Sequence, residues 1–479
     1  MKHFTRMTAL LLVLVMLLTA LASCKETSGS TNDEKQTGAD GFELPEGIDY
    51  TLQVNDYKGA TCTVALNIYS NMDSTEVTGD TVVDTIYKRN AKVEDLYKVS
   101  LQFPEMPEME DYTQLIVQSI MAGDNDFQLI GGRQGQLAEL MLSSTYMQNL
   151  LDVPYLEFDM PWWPKEFQQS ANVGNVLYSA VGTLDTTFYD YVVALTFNKE
   201  LAADLGIGDL YALTREGNWT LDKLIEYSRL AEGDLDGNGI MEPAFDRFGL
   251  AIHRNFPVDA FVTAFNVPLT EFDDEGVPHL LPLTDHYVEV EDKMRKFIAH
   301  DNSVNYQIGK NPTEDASFLE GRALFEGNRM WRVLEYRAME NDFGILPYPK
   351  WDENQDKYYT YTDVADNSSF AIPVTTDATM PANLLEALSY YGYFMIKPAF
   401  YDKTLNGKLV RDKESSEMLD LIYDNIKYDF IQLYDAGFYP APNMLLRISL
   451  WDDISLTTEY AKNRKMYEKK MEELVDKLF

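Results

Sequence analysis

The run Asp234-Leu-Asp-Gly-Asn-Gly-Ile-Met-Glu242 carries the plainest metal chemistry in this 479-residue chain. Asp234, Asp236 and Asn238 put side-chain oxygens at alternate positions, and Gly239 allows the sharp turn, as in the first half of an EF-hand calcium loop. The second half departs from that pattern. Phe245 stands at the twelfth position, where a carboxylate is needed, and Asp246 follows one residue late. Two readings stand: a stretched calcium site formed by Asp234, Asp236, Asn238 and Glu242, helped by Asp246, or a solvated acidic turn. Any ion there would be structural, since no reactive group lies beside it in sequence; no other cofactor is required.

A second chemistry comes from aromatic residues, 30 Tyr and 6 Trp. A pyranose ring has an apolar C–H face that stacks on an aromatic, and its hydroxyls need side chains that donate and accept. Trp162, Trp163, Trp219, Trp331, Trp351 and Trp451 all stand beside proline or polar residues. Signs of catalysis are thin. His3, His253, His279, His286 and His300 are scattered without metal-ligand spacing, and neither a Gly-x-Ser-x-Gly elbow nor a phosphate loop occurs. Among 77 acidic residues, a pair of carboxylates is no evidence of a glycosidase.

These groups must be positioned by a chain that begins as a secreted one. Lys2 and Arg6 precede an uncharged apolar run from Met7 to Leu18, then Leu21-Ala22-Ser23-Cys24. This is the pattern of a signal peptide over 1–23. The last tetrad resembles a bacterial lipobox, which makes Cys24 the expected lipidation site and acylated N-terminus; durable attachment takes two or more acyl chains. Residues 24–54 form a polar tether. Cys62, the other cysteine, lies in an apolar run and reads as a buried thiol. The formal charge of -37 excludes nucleic acid and electrostatic adhesion to anionic lipid.

The remaining length exceeds one hydrophobic core, so two domains are expected. Strands are expected over 61–69, 97–103 and 127–132, with helices over 80–90 and 111–121 between them. That alternation is a parallel α/β pattern, in which ligands gather at the carboxyl ends of strands. The loops holding Tyr69 with Asn71, and Arg133 with Gln134, are therefore the first candidates. Further on, 191–197 reads as a strand. Helices are expected from 198 to 205 and after Trp219, and then over 288–300, 313–321, 381–394, 415–433 and 457–479.

The order of several short stretches resembles the extracellular solute-binding lipoproteins of ABC importers, of the maltose or sugar type and especially a clostridial subgroup. These are Ala122-Gly123-Asp124, Leu195-Thr-Phe-Asn-Lys-Glu-Leu201, Gly217-Asn-Trp-Thr-Leu-Asp222 and Phe343-Gly-Ile-Leu-Pro-Tyr-Pro-Lys350. Pro398-Ala-Phe-Tyr-Asp402 and Arg411-Asp-Lys-Glu-Ser415 complete the set. The resemblance implies a two-lobed, periplasmic-binding-protein-like (type II) α/β fold with a hinge and a ligand cleft. It assigns 55–188 plus about 327–362 to lobe 1 and 189–326 plus about 363–479 to lobe 2, with a hinge crossing near Tyr189 to Leu195. It also implies a monomeric receptor that captures a sugar or oligosaccharide and works with ABC permease subunits on the outer face of the membrane. A sensory or adhesive surface lipoprotein and a surface glycoside-active enzyme remain the alternatives. Under this resemblance Trp331 is the expected stacking platform, with Asp185 and Tyr189 before the crossing and Asp366 and Asn367 before Ala371-Ile-Pro373 completing the cleft.

Overall fold

In the computed structural model the described residues are 41–67, 71–141, 146–307, 316–405, 413–434 and 438–478. The chain divides into Met1–Thr51, described only from residue 41, and Leu52–Phe479, which holds all that follows. Among the described residues no helix is long and apolar enough to cross a membrane. Cys24 and Tyr69 lie outside the described residues.

The first sheet is built as the alternation predicts. Strand β1 (Ala60–Leu66) buries Cys62, Val64 and Ala65, and runs parallel to β2 (Val99–Gln102) and β3 (Leu129–Arg133). Burial pushes the Cys62 thiol up to about 12, so it is an inert packing group. The helix Thr81–Tyr97 starts where Asp80 accepts hydrogen bonds from the Val82 and Val83 amides, and turns Val82, Ile86, Val93 and Tyr97 inward. The helix Met109–Ala122 stops at Gly123, whose φ of 77° suits a residue without a side chain.

The second sheet has the order β10-β4-β9-β5-β8. Its strands are β4 (Val193–Asn198), β5 (Phe248–His253), β8 (Val304–Gln307), β9 (Ala323–Arg329) and β10 (Phe343–Leu346), while β6 (Thr270–Phe272) and β7 (Pro278–Leu280) form a separate hairpin. Asn198 begins the next helix by accepting from the Leu201 amide at 3.0 Å. The expected lobe boundaries change here. Residues 327–329 and 343–346 pair within the second sheet, whereas β11 (Ser368–Ala371) joins the first, antiparallel to β3. All three stretches had been given to the opposite lobes, because antiparallel return strands carry no signature of the sheet they will join.

Two helix expectations also change. The described part of 313–321 is a hydrogen-bonded turn ending at Gly321, at φ 73°, and the helix expected over 415–433 breaks between Tyr423 and Phe430. At that break Asp429 caps the short helix Phe430–Leu433 through the Ile431 amide.

Candidate ligand cleft

Strands β1, β2 and β3 end their carboxyl edge at Leu66, Gln102 and Arg133, with Ser368 of β11 opposite Arg133. In the second sheet, parallel pairing of β5 with β8 and β9 brings His253, Gln307 and Arg329 to one edge, and Val193 of antiparallel β4 lies opposite Arg329. The chain leaves the first sheet after Ala180, which bridges to Phe370, and enters the second at Val193; it returns between Leu346 and Ser368. These crossings lie side by side. The Val193 amide donates to the Tyr361 carbonyl and the Asp363 amide to the Tyr191 carbonyl, both at 3.0 Å. The two carboxyl edges are thereby brought to one place.

Asp366 is shared there by an arginine from each sheet. Arg133 pairs with one of its oxygens, and Arg329 Nη2 lies 2.8 Å from the other while also pairing with Asp363. The Arg329 guanidinium lies 4.1 Å from the Phe256 ring centre and 4.8 Å from that of Tyr191. Beyond β5, Arg254 stacks at 3.2 Å on Trp451, which remains 45% exposed. Arg447 Nη1 lies 2.8 Å from Asp259 Oδ2. Although burial disfavours its charge, Asp259 foremost, then Tyr361 and Asp363, raise the Arg447 pKa. Burial first, and then Asp259, raise the Tyr306 phenol, while Arg254 and Arg447 act the other way. Arg254 Nε, Arg329 Nε and the Tyr306 hydroxyl are all buried with no hydrogen-bond partner among the described residues. Buried polar atoms rarely stay so unless a ligand or water completes them.

Beside this edge a cavity of about 480 Å³ is lined by Asn71, Thr186, Asp190, Trp331, Phe400 and Lys403 among others. Trp331 is half-buried, and Asn71 is exposed, with its amide Nδ2 donating to Thr186 Oγ1 at 2.9 Å. Burial raises the Asp190 carboxyl to about 7, against the opposing effects of the Thr186 hydrogen bond and Lys403. Because the folded pKa exceeds the unfolded value near 3.8, the stability tied to this proton is fully present below about 3.8 and is lost as pH rises through about 7. Asp190→Asn is therefore expected to stabilise the protein by about 1–3 kcal/mol at pH 8 and to change little at pH 4. Melting curves at the two pH values check this; an equal gain at both would contradict the raised carboxyl.

Of the residues expected at the cleft, Arg133 and Asp366 meet each other, and Asn71 and Trp331 line one cavity. Gln134, Asp185, Tyr189 and Asn367 are each no more than 1% exposed. Asp185 accepts from the Asn71 and Thr187 amides, and the Gln134 amide donates to the Asn367 carbonyl. The Tyr189 ring stacks on Phe400. Asp185 and Asn367 brace the crossing through these bonds, whereas Gln134 Oε1 and the Tyr189 hydroxyl are buried with no hydrogen-bond partner among the described residues. Arg332, next to Trp331, is fully buried against Glu326 and also pairs with Glu335. Arg254, Asp259, Tyr306, Arg329 and Arg447 escaped the sequence reading, which named Trp451 only as one of six tryptophans. Arg329 was within reach of it, since the carboxyl-end rule applied to the second sheet as it was to the first.

In the acidic loop, one carboxylate oxygen each from Asp234, Asp236 and Asp246 lie within 4.8 Å of one another. Asp246 is buried while Phe245 is 58% exposed, so the late carboxylate turns inward where the twelfth-position ligand was missing. Glu242 stands outside that trio and accepts from Asn238 Nδ2. The Gly239 and Gly237 amides hold the Asp234 carboxyl below its ordinary value.

No protein-family model matches the chain, and no curated protein matches it in sequence. Solved structures match in fold. A sugar transporter of Rhizobium etli in an open conformation is 14% identical with a TM-score of 0.56, covering 87% of this chain and 99% of its own. A cyclo/maltodextrin-binding protein complexed with maltotetraose is 12% identical with a TM-score of 0.55, covering 88% and 97%. The GacH receptor of Streptomyces glaucescens, solved unliganded and with acarbose, is 12% identical with a TM-score of 0.52, covering 86% and 99%. The chain thus has the two-lobed, type II periplasmic-binding-protein-like fold of these solute-binding proteins, each sheet forming the centre of a lobe.

Proposed function

We propose that this protein is the substrate-binding receptor of an ABC importer, a non-enzymatic monomer that encloses a sugar or oligosaccharide between its lobes. The observation that carries this is the group of unpartnered buried atoms, Arg254 Nε, Arg329 Nε and the Tyr306 hydroxyl, where the carboxyl edge of the second sheet meets the first. Exposed Trp451 and half-buried Trp331 supply aromatic faces nearby. Solved proteins of the same fold are described with maltotetraose and with acarbose bound, which supports a saccharide. In this reading Cys24 carries the lipid that tethers the receptor to the outer face of the membrane, close to its permease subunits.

A thermal-shift screen across mono- and oligosaccharides, amino acids and peptides tests the proposal. A ligand at 100 times its Kd stabilises the native state by about 2.7 kcal/mol. At least one saccharide is expected to raise the melting temperature; shifts with amino acids or peptides alone would overturn the sugar assignment. We also propose a structural calcium ion at Asp234, Asp236 and Asp246, with Asn238 and Glu242 at its margin. Calcium is expected to raise the melting temperature above that in chelator, and superimposable curves would leave the loop a hydrogen-bonded turn.

A further inference from the structure

We propose that the ligand carries a carboxylate, making it an acidic sugar of the uronic acid class that Arg254 and Arg329 grip through their free Nε–H groups. This rests on the receptor reading above and narrows it. The chain has 77 acidic residues against 40 basic ones, yet its cleft edge gathers Arg133, Arg254, Arg329 and Arg447. They form one electrostatic neighbourhood. Tyr191 feels both Arg329 and Arg133, Tyr306 feels both Arg254 and Arg447, and Asp363 reaches Arg447 as well as Arg329.

Among the described residues, three carboxylates form ion pairs with these four cations. Asp366 and Asp363 engage Arg133 and Arg329, and Asp259 engages Arg447. Arg254 forms no ion pair among the described residues, and Trp451 covers one face of its guanidinium. A half-buried guanidinium without a counter-charge is costly, and a neutral hydroxyl offers it a weaker acceptor than an anion does. One ligand carboxylate would balance the count. Its two coplanar oxygens match the planar guanidinium fork, and stacking on Trp451 already orients that fork. The overall negative charge does not forbid such a ligand, because exposed charges beyond about 8 Å are largely screened at physiological ionic strength.

The test is calorimetric titration of the full chain with disaccharides of galacturonic, glucuronic and mannuronic acid. Each is compared with its neutral methyl ester and with a sulfated disaccharide, and maltose is included. At least one free acid is expected to bind tenfold or more tighter than its ester, with the difference shrinking as salt rises. Arg254→Gln is expected to bring acid and ester to similar affinity, while Arg254→Lys, which keeps the charge without the fork, retains part of the preference. Melting temperatures of both variants confirm folding. Equal binding of acid and ester, or binding of maltose and esters alone, overturns the carboxylate and leaves the receptor reading standing. Tighter binding of the sulfated sugar also overturns the carboxylate. Absence of binding by every saccharide overturns the sugar assignment on which the carboxylate rests.

Discussion

Replacing Arg329 with Ala is expected to weaken saccharide binding by roughly 2–5 kcal/mol, about 30-fold at the least, because it truncates one member of a largely buried, hydrogen-bonded charge cluster. Arg329 ends β9 in the second sheet and reaches Asp366, which Arg133 of the first sheet also holds. Its removal takes the unpartnered Nε–H from the cleft, leaves Asp363 without its ion pair, and unlinks the lobes at Asp366. Trp331→Ala, which removes only an aromatic face of the neighbouring cavity, is expected to cost less, about 1–3 kcal/mol. Titration calorimetry on both folded variants gives the ranking. If Arg329→Ala bound like the wild type while Trp331→Ala lost affinity, the ligand would belong in the Trp331 cavity and the strand-edge site would be wrong.

Gly249→Ala should destabilise the fold by about 3 kcal/mol or more, a loss at the upper end of overpacking penalties. Gly249 lies in β5, where the helix Leu221–Ala231 passes overhead. A Cβ built there would stand 2.1 Å from Ser228 Cα and 2.2 Å from the Ser228 carbonyl oxygen. Both are backbone atoms, so no side-chain rotation relieves the clash, and the helix must lift from the sheet that carries Arg254 and Arg329. Chemical denaturation reads the loss; a midpoint within experimental error of the wild type would mean that helix and strand are less closely apposed.

Much of the scaffold was legible because its signals are local. The Asp80 cap, the Gly123 stop and the alternation of buried runs with amphipathic ones mark the first sheet from neighbouring residues alone. Arg133 followed from the same logic, as the residue that ends a parallel strand. The allocation of β10 and β11 was not legible, since both are short, fully buried strands whose partners lie far away in sequence. The same limit hid most of the cleft. Arg254, Arg329 and Arg447 come from three distant segments, and nothing near Arg254 signals that Trp451, almost 200 residues later, will cover it. Asp185 was hidden for the opposite reason: a polar segment at a crossing looks accessible, but its buried carboxylate accepts from the Asn71 and Thr187 backbone amides.

The central claim is that two lobes close over a ligand at their facing carboxyl edges. Small-angle X-ray scattering on the protein alone and with a saturating saccharide from the thermal-shift screen tests it most directly. The account predicts a smaller radius of gyration with ligand, and no such change in Arg329→Ala at the same ligand concentration. An unchanged radius for the wild type, at a ligand concentration shown to stabilise it, would contradict a hinged receptor.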